Sequence, residues 1–231
     1  MALALESRTV GDVQVVMCRG RLVGGEESAA LERCIAGLLT DRPYIVLDLA
    51  DLQFIDSSGL GLLVRCLARA RSAGGGLKLC AVSPKIGEVL RVTRLSSSFD
   101  AYDTEDEAVA AFYRRDATGA VPQLMPVDVL VVDRSPDVQA YVAELVRQAG
   151  FGVTATGNLA DGLTLLRALQ PRVLVVGSDL RAAGTQGAAE RFNRLADALA
   201  VVELPTTFSA RDAGDAGNEL LDRVRTAMGS R

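Results

Sequence analysis

Residues 54–63 read Phe54-Ile55-Asp56-Ser57-Ser58-Gly59-Leu60-Gly61-Leu62-Leu63, and how this stretch is read decides the fold. An apolar run over residues 44–49 leads toward it, and an apolar-faced segment from Leu60 to about Ala70 follows it. Strand, polar turn and helix in that order predict an α/β fold. One carboxylate, two hydroxyls and a glycine are what the start of a helix needs. Their oxygens accept its orphan N–H groups, and glycine adds no bulk there. The positive end of the helix dipole also stabilises a phosphate at this place. A serine in the turn is therefore either a cap or a site of phosphorylation.

Working outward toward the N-terminus, residues 10–18 read as a strand that Gly20 closes, with Arg21-Leu22-Val23 after it and Gly24-Gly25 as a break. Glu26 and Glu27 open a helix whose Leu31, Ile35, Leu38 and Leu39 keep helical spacing, and early acidic residues suit the dipole. On the other side, Leu62, Leu63, Cys66, Leu67 and Ala70 form the apolar face of the helix, which leaves Arg65, Arg69 and Arg71 on a solvated face. Gly74 to Gly76 lack the spacing and the Lys-Ser/Thr of a phosphate loop and read as a turn before the strand at 77–84. A short helix from Pro84 to Leu90 comes next. Thr104 with Glu107 has capping-box spacing and opens a terminal helix that carries Val109, Phe112 and Tyr113.

Residues from about 13 to 112 resemble the anti-sigma factor antagonists, the STAS-domain family. The resemblance rests on a first strand pair ending at Gly20, the helix around 31–39, the buried strand 44–49, the Asp51-to-Gly61 motif, the glycine turn and the strand after it. It implies a STAS-like mixed β-sheet with helices over residues 1–117. It also implies a partner-switching regulator. In the family, a partner serine protein kinase, the anti-sigma factor, phosphorylates the serine directly after the aspartate, which by position is Ser57. Unphosphorylated, the protein binds that kinase; phosphorylation releases it. Asp56, Ser58, Gly59, Leu60 and Gly61 are the expected partner-binding residues. One departure bears on docking: the family commonly carries an aspartate after Gly-x-Leu, and Val23 stands there. The alternative expectation is a STAS scaffold in which Ser57 is a cap and the second half is the surface of a homodimer.

Residues 118–126 change character, with charges, Gly119, Pro122 and Pro126, and read as a linker to a second domain over 127–231. Apolar runs at 127–132, near Val153, at 173–176 and at 201–204 alternate with helical patterns, the signature of a parallel sheet. Ser135 and Pro136 open the first of these helices. This half is similar to a response-regulator receiver in outline, a flavodoxin-like sheet shortened near its end, because the segment between Leu204 and Leu220 is too short for the usual helix–strand pair. Carried over residue by residue, the pocket is degenerate. Asp133 matches the first acidic position, Arg134 replaces the second, Gly177 stands where the phosphoacceptor belongs, and no lysine occurs beyond Lys85. Asp179 is the acceptor only if its strand runs two residues further. Without paired carboxylates to hold a metal, phosphoryl transfer loses its charge neutralisation, so no metal and no phosphorylation are expected there.

Composition excludes several classes. The net charge is −4, and neither half has a basic excess: 14 basic against 16 acidic residues to Thr118, and 11 against 13 beyond it. Nucleic-acid binding is therefore not expected. The chain has no histidine, which removes Ser-His-Asp and Cys-His catalysis and histidine-ligated metals. Cys18, Cys34, Cys66 and Cys80 are widely spaced, without CxxC, and suit core packing. No apolar run reaches the length of a membrane span, and the first residues lack a signal-peptide pattern. The expectation is a cytoplasmic, non-enzymatic binding protein that needs no cofactor and no membrane.

Overall fold

The structure is a computed structural model that describes residues 2–114, 123–182, 187–206, 208 and 213–229; side chains 182, 188 and 213–215 are outside that description. It divides into two compact units, Met1–Phe112 and Tyr113–Arg231. Of the expected linker, residues 118–122 lie outside the described residues.

The first unit begins with an antiparallel hairpin, β1 (Ala4–Val10) and β2 (Val13–Leu22), turned by Gly11 at φ 61°. Then follow α1 (Glu26–Leu38), β3 (Tyr44–Asp48), β4 (Leu52–Ile55), α2 (Ser57–Ser72), β5 (Gly76–Cys80), α3 (Pro84–Val92), β6 (Ala101–Tyr102) and α4 (Glu105–Tyr113). The six strands form a mixed sheet in the order β1-β2-β3-β5-β6, with β4 paired to β2 alone. Thr104 and Glu107 make the expected reciprocal cap at the start of α4, both bonds 3.3 Å.

Gly20 does not close β2 as the sequence reading expects. The strand runs on to Leu22 and changes partner, pairing β3 over Gln14–Met17 and β4 from Gly20 onward, with a register shift between Gly20 and Arg21. Gly20 has φ 96°, a conformation open to glycine and strained for other residues. The extra residue at the shift is Gln53 of β4, and the exchange of partners along β2 places the motif that follows β4. Leu31 and Ile35 of α1 and Leu62, Leu63, Cys66 and Ala70 of α2 are buried in a common core with Val16, Leu47 and Leu79 of the sheet. Each fully buried aliphatic side chain contributes about 1.5–3 kcal/mol. The amphipathic pattern of α2 is thus used as its spacing predicts.

The second unit contains β7 (Val129–Val132), α5 (Pro136–Gln148), β8 (Val153–Thr156), α6 (Leu159–Leu169), β9 (Val173–Gly177), α7 (Ser178–Ala182), α8 (Ala188–Ala196), β10 (Ala200–Leu204) and α9 (Ala213–Gly229). Its four strands are all parallel, in the order β10-β9-β7-β8. Every residue of β7 and β9 is buried, as expected of parallel strands covered on both faces. Ser135 caps α5 by accepting the Val138 N–H at 3.4 Å, with Pro136 in the first turn. Among the described residues no helix is long and apolar enough to cross a membrane.

Candidate functional site

The turn between β4 and α2 is tied to the end of β2. Asp56 is the N-cap of α2, extended at φ −100°, ψ −177°. Its Oδ1 accepts the Gly59 N–H at 2.8 Å and its Oδ2 accepts the Gly24 N–H at 3.2 Å. The Asp56 N–H donates to the Leu22 carbonyl at 3.2 Å. The backbone N–H groups facing the carboxylate, with Gly59 foremost, hold it below the ordinary carboxylate range against an opposing desolvation. With Asp56 as the cap, Ser57 becomes the first residue of the helix; its side chain is exposed and takes no part in the cap. The scaffold expectation that Ser57 is the capping residue is therefore corrected. A hydroxyl in this position stands free at the positive end of the α2 dipole.

The other expected contact residues separate by burial. Ser58 is exposed, Asp56 and Gly61 are half-buried, and Gly59 and Leu60 are buried, Leu60 with 6 % of its surface accessible. A Cβ on Gly59 would stand 2.5 Å from the Leu22 carbonyl oxygen and 2.9 Å from Ile55 Cγ1. Gly59 and Leu60 thus serve the site by letting α2 sit against β2 and by anchoring it. Both are buried, so the surface of the turn is supplied chiefly by Ser57 and Ser58.

Three surface residues were not singled out by sequence reasoning. Phe54 is 37 % exposed on β4, with the Arg21 guanidinium 5.0 Å and the Lys85 ammonium 5.9 Å from its ring centroid. Arg21 is the cross-strand partner of Phe54 in the β2–β4 ladder. The available signal was the β4 pattern itself: reading residues 52–55 as a strand beside 20–22 sets an aromatic opposite an arginine. Val23, where the resemblance places an aspartate, is half-buried and its carbonyl accepts the Ser28 hydroxyl at 2.7 Å.

In the second unit, Asp133, Arg134, Gly177 and Asp179 do come together, in a cleft of about 470 Å³ with Asp137 and Phe208 also on its wall. Asp133 follows β7, and its Oδ1 accepts the Ser135 N–H at 2.8 Å. A Cβ on Gly177 would lie 2.5 Å from Asp133 Oδ2 and 2.9 Å from Asp179 Oδ1, so both carboxylates close on the space a side chain would fill. Burial pushes the Asp133 carboxyl up, and the Asp179 charge adds to the rise. β9 ends at Gly177 and Asp179 lies in α7, so the strand does not run the two residues further that would make Asp179 its terminal acceptor. Instead Asp179 pairs with Arg134, Oδ2 to Nε at 3.9 Å. Among the described residues no group of three or more His, Cys, Asp or Glu side chains is arranged to hold a metal ion.

All four cysteines are free thiols, three buried and Cys34 half-buried. Burial pushes Cys18 up to about 12 and Cys66 up to about 11, and raises Cys34 and Cys80 as well, so these thiols stay protonated and inert.

Residues 4–108 match the STAS domain family. A Thermotoga maritima protein is 37 % identical over 110 residues, covering 47 % of this chain and 96 % of its own length, and BtrV of Bordetella bronchiseptica is 28 % identical over 102 residues, covering 44 % and 88 %. Both bear the name "Putative anti-sigma factor antagonist". A crystal structure of the Thermotoga maritima antagonist is 29 % identical, covers 46 % of this chain and 92 % of its own, and has a TM-score of 0.44. Through its first unit, therefore, the chain belongs to the STAS-domain family, among relatives named as anti-sigma factor antagonists.

Proposed function

We propose that this protein is a cytoplasmic anti-sigma factor antagonist that switches partner through Ser57. With Ser57 unmodified it binds an anti-sigma factor that is also a serine protein kinase, and phosphorylation of Ser57 releases it. The observation that carries the reading is the exposed Ser57 hydroxyl at the first position of α2, left unused because Asp56 caps the helix. The chemistry belongs to the partner. Ser57 Oγ attacks the γ-phosphorus of ATP held by the kinase, ADP leaves, and the hydroxyl proton passes to a base of the kinase. The product carries about −1.5 to −2 charge at neutral pH. Phe54 with Arg21 and Lys85 forms an aromatic, cationic surface suited to an acidic partner face. A phosphate beside it repels such a face, while the helix dipole tolerates the charge within the domain. The fold stays, and the affinity falls.

We read the second unit as a degenerate receiver-like domain that binds or packs and is not itself phosphorylated. Gly177 in place of an acceptor side chain and the Arg134–Asp179 pair support this. A second reading, a STAS scaffold that dimerises through this unit, is favoured by the apolar Val23. Phosphosite mapping of the protein recovered from its own cells, beside Ser57→Ala, separates the two. A phosphate on Ser57 that the variant lacks, with Ser57→Asp failing to retain the kinase, supports the switch. Absence of phosphate under all growth conditions, with Ser57→Asp binding partners as well as the wild type does, leaves the scaffold.

A further inference from the structure

Arg65 of α2 makes no hydrogen bond or ion pair among the described residues. Its neighbour one turn on, Arg69, is held by Glu32 at 3.0 Å. The Arg65 guanidinium is folded back along the helix: Nη1 lies 3.6 Å from the point a Cβ on Gly61 would occupy. Gly61 is four residues before Arg65 and four after Ser57, so the three share one stripe of the helix surface. Residues four apart on a helix have their Cβ atoms about 5–6 Å from each other. The guanidinium thus already covers about half of the distance from its own backbone to Ser57, which leaves one further step of about 5–6 Å. A phosphoryl group on Ser57 Oγ extends into the remaining gap. Because residue 61 has no side chain, nothing stands between them.

Resting on the reading of Ser57 as the phosphorylated residue, we propose that Arg65 is an intramolecular clamp for phosphoserine 57, donating its N–H groups to the phosphate across the window left by Gly61. Guanidinium matches phosphate geometry in a two-pronged fork. The clamp stabilises the dianion over the monoanion, and the dianion is the form that most strongly repels an acidic partner. Arg65 is in this sense a positioning residue for the modified state and has no role in the unmodified one.

The test installs phosphoserine at position 57 of the full chain during translation, so that it does not depend on any kinase, and follows the ³¹P resonance with pH. Free phosphoserine titrates near pH 6. The wild-type midpoint lies below that value, and Arg65→Gln raises it by roughly 0.5–1 pH unit, the size expected for one charge a few ångströms away in a largely aqueous setting. Gly61→Leu, which fills the window and keeps the charge, raises it in the same direction. Arg69→Gln leaves it unchanged. Equal midpoints for wild type and Arg65→Gln overturn the clamp, as does an equal shift from Arg69→Gln. Either failure leaves the proposed switch standing, because phosphosite mapping in cells decides that separately.

Discussion

Replacing Gly59 by alanine adds a methyl group 2.5 Å from the Leu22 carbonyl oxygen and 2.9 Å from Leu22 Cγ and Ile55 Cγ1. In an open helix interior the same change stabilises by about 1 kcal/mol. Here the obstructing oxygen is backbone, and it already accepts the Asp56 N–H at 3.2 Å, so it cannot retreat without loosening the turn that carries Ser57. Overpacking of this kind costs roughly 1–3 kcal/mol, and an immovable neighbour puts it at the upper end. The net effect is a destabilisation of about 2 kcal/mol. Two residues on, a Cβ at Gly61 meets only Arg65 Nη1 at 3.6 Å, the end of a flexible side chain. Gly61→Ala therefore stabilises by about 1 kcal/mol, and two identical substitutions two residues apart in one helix have opposite signs. Since a chain of two units need not unfold in one step, the assay is amide hydrogen exchange read on peptides from α2. Gly59→Ala lowers protection there about 30-fold and Gly61→Ala raises it about fivefold. Unchanged or increased protection in Gly59→Ala would refute the close approach of α2 to β2.

Two carboxylates lead to opposite pH responses. The folded-state value of Asp56 is depressed, chiefly by the Gly59 N–H, so its ionised form stabilises the protein above the unfolded carboxylate value near 3.9 and loses that contribution as pH falls through the folded value. Asp56→Asn accordingly lowers the thermal midpoint of the first unit at pH 7 and ceases to do so in strong acid; a pH-independent loss rules out the charge as the cause. The folded-state value of Asp133 is raised by burial and by Asp179, so its contribution is fully present below the unfolded value and is lost as pH rises through the folded one. Asp133→Asn, which retains an oxygen for the Ser135 N–H, stabilises the second unit at pH 7 and loses that advantage on acidification. Calorimetric scans at pH 7 and pH 3 check both, and a destabilised Asp133→Asn at pH 7 contradicts the burial account.

What could be read from the residues alone is what short-range rules decide. Helical spacing in Leu31 and Ile35, the Thr104–Glu107 and Ser135–Pro136 helix starts, and the uninterrupted apolar runs of β7 and β9 each depend on neighbours within a turn or on burial of a whole strand. They specify an α/β chain with a parallel sheet in its second half, and the Asp56-to-Gly61 motif marks the turn that matters in the first. Tertiary structure decided the rest. Asp56 and Ser57 are both good caps one position apart, and the choice falls to Asp56 because the Gly24 N–H and the Leu22 carbonyl, more than thirty residues away, meet it at the end of β2. The same long-range junction buries Gly59 and Leu60, and the extra residue Gln53 at the register shift sets Arg21 beside Phe54. In the second unit, Asp133 and Asp179 close on Gly177 only because β7 and β9 are neighbours in the sheet. A sequence pattern sets which face of an element is apolar, but it does not set which two faces meet, and it is at those meetings that the Ser57 hydroxyl is left free.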